Sequence, residues 1–318
     1  MQQRKLGNTG ITVGAIGLGC MGMSWAYTDV QSDEANSIQV IHEAIDLGVT
    51  LIDTADVYGP FTNEELVGRA LVGRRNKVTL ATKCGLVVSN IQTRTIDRDG
   101  SSAHIKAACD ASLKRLNVEV IDLYQLHRSD PNVPIEESVG AMAELVQAGK
   151  VRAIGLSECD VPLLERAIAV SPIASLQSEL SLWTRDVLGE ILPWCQAHGV
   201  SFIPFSPLGR GFLTGRYRSA EVFSEGDFRA TNPRFQPDAM LANLALVAKV
   251  EAIAQRLDVK AGQVALAWVL AQCEQVIPIP GTKQLKYLKE NIEAADITLS
   301  SEDLDQLNAL PTAVGGRY

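Results

Sequence analysis

Short apolar runs rich in Val, Ile and Leu alternate along the chain with longer stretches whose apolar positions recur every three or four residues. The runs cover 15–19, 50–53, 78–82, 120–126, 151–156, 174–177, 201–205 and 276–279. Each is too short for a helix and is bounded by turn residues, so it reads as a strand of a parallel sheet covered on both faces. The intervening stretches at 33–47, 63–72, 101–116, 135–148, 161–170, 187–198, 241–257, 261–272, 285–294 and 301–310 read as helices that lay an apolar stripe on that sheet. Some carry start signals, such as Asp33 before Glu34 and Ser301 before Glu302. Eight strand–helix units predict an α/β fold, a single (β/α)8 TIM barrel that occupies 1–318 as one domain. Two segments stand outside the repetition. Residues 4–13, with Asn8, Thr9 and Gly10 as turn, predict an N-terminal β-hairpin that plugs the barrel's N-terminal end. Residues 216–238 are polar and without period; they read as a loop over the site or as a disordered segment.

In such a barrel the active site forms at the C-terminal ends of the strands. Asp53 ends the second run, and Tyr58 follows in a loop closed by Gly59; Lys83 ends the third run and His127 the fourth. Free tyrosine, with a pKa of about 10, is a weak proton donor at neutral pH. A lysine ammonium beside it is expected to lower that pKa, and a carboxylate should accompany the lysine because a lone buried charge is costly. A neutral histidine can orient a carbonyl. The set predicts a general acid for carbonyl reduction, with the hydride drawn from a reduced cofactor. The segment from Gly17 to Gly22 matches the dinucleotide fingerprint G-x-G-x-x-G, which requires a helix to open there. No helical stripe follows, so the segment reads instead as the first strand and its loop.

These stretches, in this order, resemble the aldo-keto reductases over almost the full length. The matches are Gly17-Leu-Gly-Cys-Met-Gly22, Leu51-Ile-Asp-Thr-Ala-Asp-Val-Tyr-Gly59, Ala81-Thr-Lys83, Asp122-Leu-Tyr-Gln-Leu-His127 and Ile154-Gly-Leu-Ser157. They continue with Gln177, Phe205-Ser-Pro-Leu-Gly-Arg-Gly-Phe-Leu-Thr-Gly215 and Ile279-Pro-Gly-Thr-Lys283; the run after Phe205 resembles the bacterial and plant branch of auxin-induced-like enzymes. The resemblance implies NADPH-dependent reduction of an aldehyde or ketone, with Tyr58 as proton donor, Lys83 and Asp53 tuning it, and His127 orienting the substrate. It further implies that Gly19 and Cys20 lie near the nicotinamide, that Ser157 and Gln177 bond its carboxamide, and that Phe205 stacks on its ring. Ser206, Pro207, Leu208, Gly209, Arg210 and Gly211 would follow the pyrophosphate. Gly281, Thr282 and Lys283 would meet the adenosine phosphate, and Glu290 and Asn291 the adenine. Many relatives carry arginine where this chain has Gln284 or Tyr287, with Lys286 and Lys289 as possible substitutes, which bears on the preference for NADPH over NADH. Met21, Trp25, Tyr27 and Trp183, together with Phe61, are candidates for an apolar substrate pocket. The alternative is a nicotinamide-binding redox sensor or regulatory subunit with little turnover, like the potassium-channel β subunits of the same superfamily.

Composition narrows the picture further. A net charge of −8 argues against a general nucleic-acid partner. The N-terminus lacks the apolar core of a signal peptide, and no run approaches the roughly 20 apolar residues of a membrane span. Six scattered cysteines without a C-x-x-C pair predict reduced thiols in a cytoplasmic protein. Four histidines without H-x-H or H-E-x-x-H spacing predict no metal, and the partner expected is a small carbonyl substrate. Oligomeric state is left open.

Overall fold

A computed structural model describes residues 1–27, 33–90, 95–219, 223 and 226–317. The strands are β1 Gln3–Lys5, β2 Thr12–Gly14, β3 Leu18–Gly19, β4 Leu51–Asp53, β5 Thr79–Cys84, β6 Leu86–Asn90, β7 Thr95–Arg98, β8 Ile121–Leu126, β9 Val151–Ser157, β10 Ser175–Glu179 and β11 Ser201–Phe205. The helices are α1 Glu34–Asp46, α2 Thr62–Ala70, α3 Ser102–Leu116, α4 Ile135–Gln147, α5 Val161–Ile168, α6 Ile191–His198, α7 Phe228–Thr231, α8 Pro237–Arg256, α9 Ala261–Leu270, α10 Leu285–Glu293 and α11 Ser301–Asn308. Strands β3, β4, β5, β8, β9, β10 and β11 form one parallel sheet in that order.

The eighth run closes the ring. Ile277 N donates to Phe202 O at 2.8 Å and Ile279 N to Pro204 O at 3.1 Å, while on the other side Gly17 N donates to Pro278 O at 2.9 Å. Pro278 and Pro280 have no N–H, so this run joins both neighbours without building a regular ladder. The barrel interior is filled by one small or branched side chain from nearly every strand: Leu51, Ala81, Leu123, Ala153, Ile203 and Ile277, with Ala174 just before β10. Leu6 and Val13 from the β1–β2 hairpin join this cluster, so the hairpin plugs the barrel as expected. A second, larger apolar layer fills the space between the sheet and the helices.

Three expectations need correction. The stretch 216–238 is neither bare loop nor disorder throughout its described part: Asp227 caps α7, a 3-10 turn spans Pro233–Phe235, and α8 starts at Pro237, ahead of the expected 241. The antiparallel hairpin β6–β7 was not anticipated; its residues are partly or fully exposed, and its apolar run, Leu86-Val-Val88, is only three residues long. The cap of α11 is Ser300, whose Oγ accepts from Asp303 N at 3.1 Å, rather than Ser301. By contrast, Leu18–Gly19 enters the sheet and a 3-10 turn, Met21–Met23, follows it, so the glycine fingerprint opens no helix. Among the described residues no helix is long and apolar enough to cross a membrane.

Candidate active site

The period of two that buries Leu51, Ala81 and Leu123 also sets the next inward layer, which is polar. Asp53, Lys83, Gln125 and Gln177 are all buried there. Lys83, fully buried, donates from Nζ to Asp53 Oδ1 at 2.5 Å, to Thr54 O at 2.8 Å and to Tyr58 Oη at 3.4 Å. Asp53 Oδ2 accepts from Gln125 Nε2 at 3.2 Å and from Gln177 Nε2 at 3.0 Å. The carboxylate is thus saturated, as a buried charge requires. Burial works against the Lys83 ammonium, but Asp53 and Tyr58 outweigh it and hold its pKa above the ordinary lysine value.

Tyr58 stands between this pair and a cavity of about 720 Å³ that it lines together with His127. Its ring meets that of His127 edge to face, with centroids 5.7 Å apart. The expectation that Lys83 would leave Tyr58 more acidic than free tyrosine needs correction. Burial raises the Tyr58 pKa by more than Lys83 lowers it, so the phenol is held protonated. His127 is driven well below the usual histidine pKa by burial first, then by Lys83 and Arg128, and is neutral at pH 7. Its Nδ1 has no hydrogen-bond partner among the described residues.

The cavity runs from these groups along the rim to α10, and most of the expected cofactor residues line it. Ser157 and Gln177 pair across β9 and β10. Hydrogen bonds within the protein engage the Gln177 Nε2 amide and use Ser157 Oγ as an acceptor for Arg128, leaving the Gln177 Oε1 side and the Ser157 hydroxyl proton to face a carboxamide's donor and acceptor. Phe205, the last residue of β11, presents its ring beside them. In the turn that follows, Ser206, Gly209, Arg210 and Gly211 all have positive φ. At Gly209 only glycine fits, because φ is +54° and a Cβ would lie 2.7 Å from the Trp183 ring. Lys260, Lys283, Lys286 and Arg216 line the same half of the cavity, against one carboxylate, Glu290. A set of cations, a flat ring and a carboxamide-matching pair fits a phosphorylated dinucleotide.

Some expected residues sit elsewhere. Cys20 is buried under the rim with its thiol on Leu18 O, and Gly209 lies behind the lining. Arg210 lines the cavity, but its guanidinium is committed to buried Glu179 at 3.0 and 3.3 Å. Trp183 does not reach the substrate side. It is buried beneath the Gly209 turn, stacked on Phe212 at 4.7 Å and edge-on to Phe235. Phe61 is half exposed beneath the Arg115 guanidinium. Lys289 pairs outward with Glu43, whereas Lys286 and Tyr287 line the cavity, with Arg216 over the Tyr287 ring at 6.0 Å. Met21, Trp25 and Tyr27 do line it, and they are joined by Leu86, Ile96 and Phe228, which the sequence did not single out. Arg128 and the 216–238 residues Tyr217 and Arg229 were also missed. Arg128 directly follows His127 at a strand end, which was a usable signal; the others depend on how loops pack.

The comparisons with known proteins agree with this geometry. The model of the aldo/keto reductase family matches residues 15–311. A "Probable aldo-keto reductase 1" of Glycine max is 44% identical, covering 100% of this chain and 92% of its own. "Aldo-keto reductase yakc [NADP(+)]" of Schizosaccharomyces pombe is 42% identical, covering 99% and 94%. The structure of the glycerol dehydrogenase AKR11B4 from Gluconobacter oxydans superposes with a TM-score of 0.89 at 32% identity, covering 97% of this chain and 94% of that one. A barrel closed by its eighth run, a tyrosine set over a buried lysine–aspartate pair and a family match across nearly the whole length lead to one conclusion: this chain belongs to the aldo/keto reductase family.

Proposed function

We propose that the protein reduces an aldehyde or ketone to the alcohol with NADPH, and that Tyr58 is the general acid. The observation that carries this reading is the contact of Tyr58 Oη with buried Lys83 Nζ at 3.4 Å, on the wall of a cavity with dinucleotide-binding chemistry. Support for the cofactor comes from the name of the Schizosaccharomyces pombe relative, which includes NADP(+). NADPH, when bound, supplies the hydride. Ser157 and Gln177 hold the carboxamide, Phe205 offers a flat face to the ring, and Lys283, Lys286 and Arg216 meet phosphate charge. On the substrate side, neutral His127 donates a hydrogen bond to the carbonyl oxygen and fixes it near Tyr58 Oη.

Tyr58, held protonated, transfers its proton to that oxygen as negative charge develops there. Lys83 stabilises the phenolate that remains, and Asp53 keeps the ammonium in place. Trp25, Tyr27, Leu86 and Phe228 surround the mouth with apolar surface and limit access of water. The test is turnover of aryl aldehydes followed at 340 nm by the parent and by Tyr58→Phe. The variant should bind NADPH as the parent does and lose at least about 100-fold in kcat/KM, the scale of a general acid. A variant that turns over as fast as the parent would remove Tyr58 from this role.

A further inference from the structure

The cavity wall carries three arginines near the catalytic end, and they are not equivalent. Arg229 is bidentate to Asp227 at 2.7 and 2.9 Å, and Arg210 is bidentate to Glu179 at 3.0 and 3.3 Å, a carboxylate that Arg317 also reaches at 3.1 Å, so both guanidiniums are tied to buried carboxylates. Arg128 forms no ion pair with any described residue. Its Nη1 donates to His127 O at 2.6 Å and to Ser157 Oγ at 3.0 Å, and Nε and Nη2 make no bond among the described residues. Both bonds anchor the guanidinium at one corner, between the His127 strand end and that of Ser157. Its charge also acts on the titration of both His127 and Tyr58.

Apolar side chains line the cavity that Arg128 shares. The β6–β7 hairpin packs on this corner, with Arg98 Nη1 donating to Ser129 O at 3.0 Å, and it brings Leu86 and Ile96 to the cavity wall. Trp25 and Val57 line the same cavity, and its other carboxylates are already accounted for: Asp53 is bound to Lys83, and Glu290 lies on α10. A fixed, partly exposed guanidinium with free N–H groups, in a cavity that aliphatic and aromatic side chains also line, is the chemistry that recognises a carboxylate on an apolar body. We propose that Arg128 is a specificity-determining residue that selects carbonyl substrates bearing a carboxylate, an aryl or alkyl oxo-acid class. This rests on the reductase reading above and adds the substrate class to it.

The experiment compares 4-carboxybenzaldehyde with the neutral methyl 4-formylbenzoate at saturating NADPH, in the parent, Arg128→Gln and Arg128→Lys. The quantity read is the acid-to-ester ratio of kcat/KM, in which the intrinsic reactivities of the two aldehydes cancel between proteins. Arg128→Gln should lower that ratio at least about tenfold, equivalent to about 1.4 kcal/mol, with NADPH affinity by fluorescence titration unchanged. Arg128→Lys, which keeps the charge and loses the planar fork, should fall between the two. In the parent the ratio should also drop between about 20 and 500 mM salt, as expected for a partly exposed charge pair; this reading stands even if the glutamine variant does not fold. A ratio that ignores both substitution and salt overturns the proposal. So does an equal loss on both aldehydes accompanied by weaker NADPH binding, which would make Arg128 a cofactor or structural residue. Turnover of neither aldehyde removes the reductase reading and this proposal with it, whereas turnover of both at a constant ratio removes the proposal alone.

Discussion

Replacing Lys83 by Met tests the central arrangement and separates its contribution to rate from its contribution to folding. Lys83 Nζ lies 3.4 Å from Tyr58 Oη. At that separation an ammonium–phenolate pair is worth roughly 5 kcal/mol at an effective dielectric of about 20, or about 3.6 pK units. A transition state with the proton about half transferred feels about half of this, so kcat/KM should fall about 30- to 100-fold. Stability should fall as well, because Asp53 keeps only its two glutamine donors and becomes an unpaired buried carboxylate. Breaking such a pair costs about 3–5 kcal/mol, which lowers the melting temperature by on the order of 10 °C in a domain of this size class. The double variant Asp53→Asn with Lys83→Met buries two neutral groups and should regain most of that stability while remaining slow. The assays are NADPH oxidation with an aryl aldehyde, NADPH fluorescence titration and thermal melts of the parent, Lys83→Met, Asp53→Asn and the double variant. A Lys83→Met protein that binds NADPH normally and keeps kcat/KM within about threefold would refute the tuning argument. A double variant no more stable than its weaker parent would refute the ion-pair account.

Two further predictions concern pH. The His127 pKa is depressed in the folded protein by burial, Lys83 and Arg128, whereas the unfolded chain takes up this proton near pH 6.5. The stability contributed by this histidine is therefore present above about pH 6.5 and lost as pH falls toward the lowered value. His127→Gln should flatten the acid limb of a melting-temperature series, and an unchanged limb would count against a buried neutral imidazole. Asp56 behaves in the opposite sense: burial, then Glu64, pushes its carboxyl up to about 8. The folded state thus holds a proton that the unfolded chain has released above about pH 4, and stability is lost as pH rises through about 8. Asp56→Asn should raise the melting temperature progressively from pH 6 to pH 9; a gain independent of pH would show that the carboxyl is not held protonated.

The barrel and the Asp53, Tyr58, Lys83, His127 set were legible because both depend on local periodicity. A run of apolar residues ending in one polar residue specifies a strand and what stands at its rim, and the period of two then places Asp53 and Lys83 in one layer above Leu51 and Ala81. The hairpin plug was legible for the same reason, from turn residues between two short alternating segments. The β6–β7 hairpin was not legible, since its apolar positions, Leu86 to Val88 and Ile96, are too few to establish a strand period. Trp183 was misplaced because an aromatic residue in a loop after a strand looks the same in sequence whether it faces the cavity or supports the Gly209 turn. Arg210 was likewise read as a phosphate contact; its partner Glu179 lies 31 positions away in sequence.

The sequence by itself determined the order of strands, the rim residues and the family, because these follow from patterns contained within single segments. Only the tertiary structure decided the charge and occupancy of the site. It set the net rise in the Tyr58 pKa, the pairing of Arg210 and Arg229 with carboxylates, and the lack of any carboxylate partner for Arg128 among the described residues. Those properties depend on desolvation and on groups brought together from distant segments, and both arise only when the chain packs.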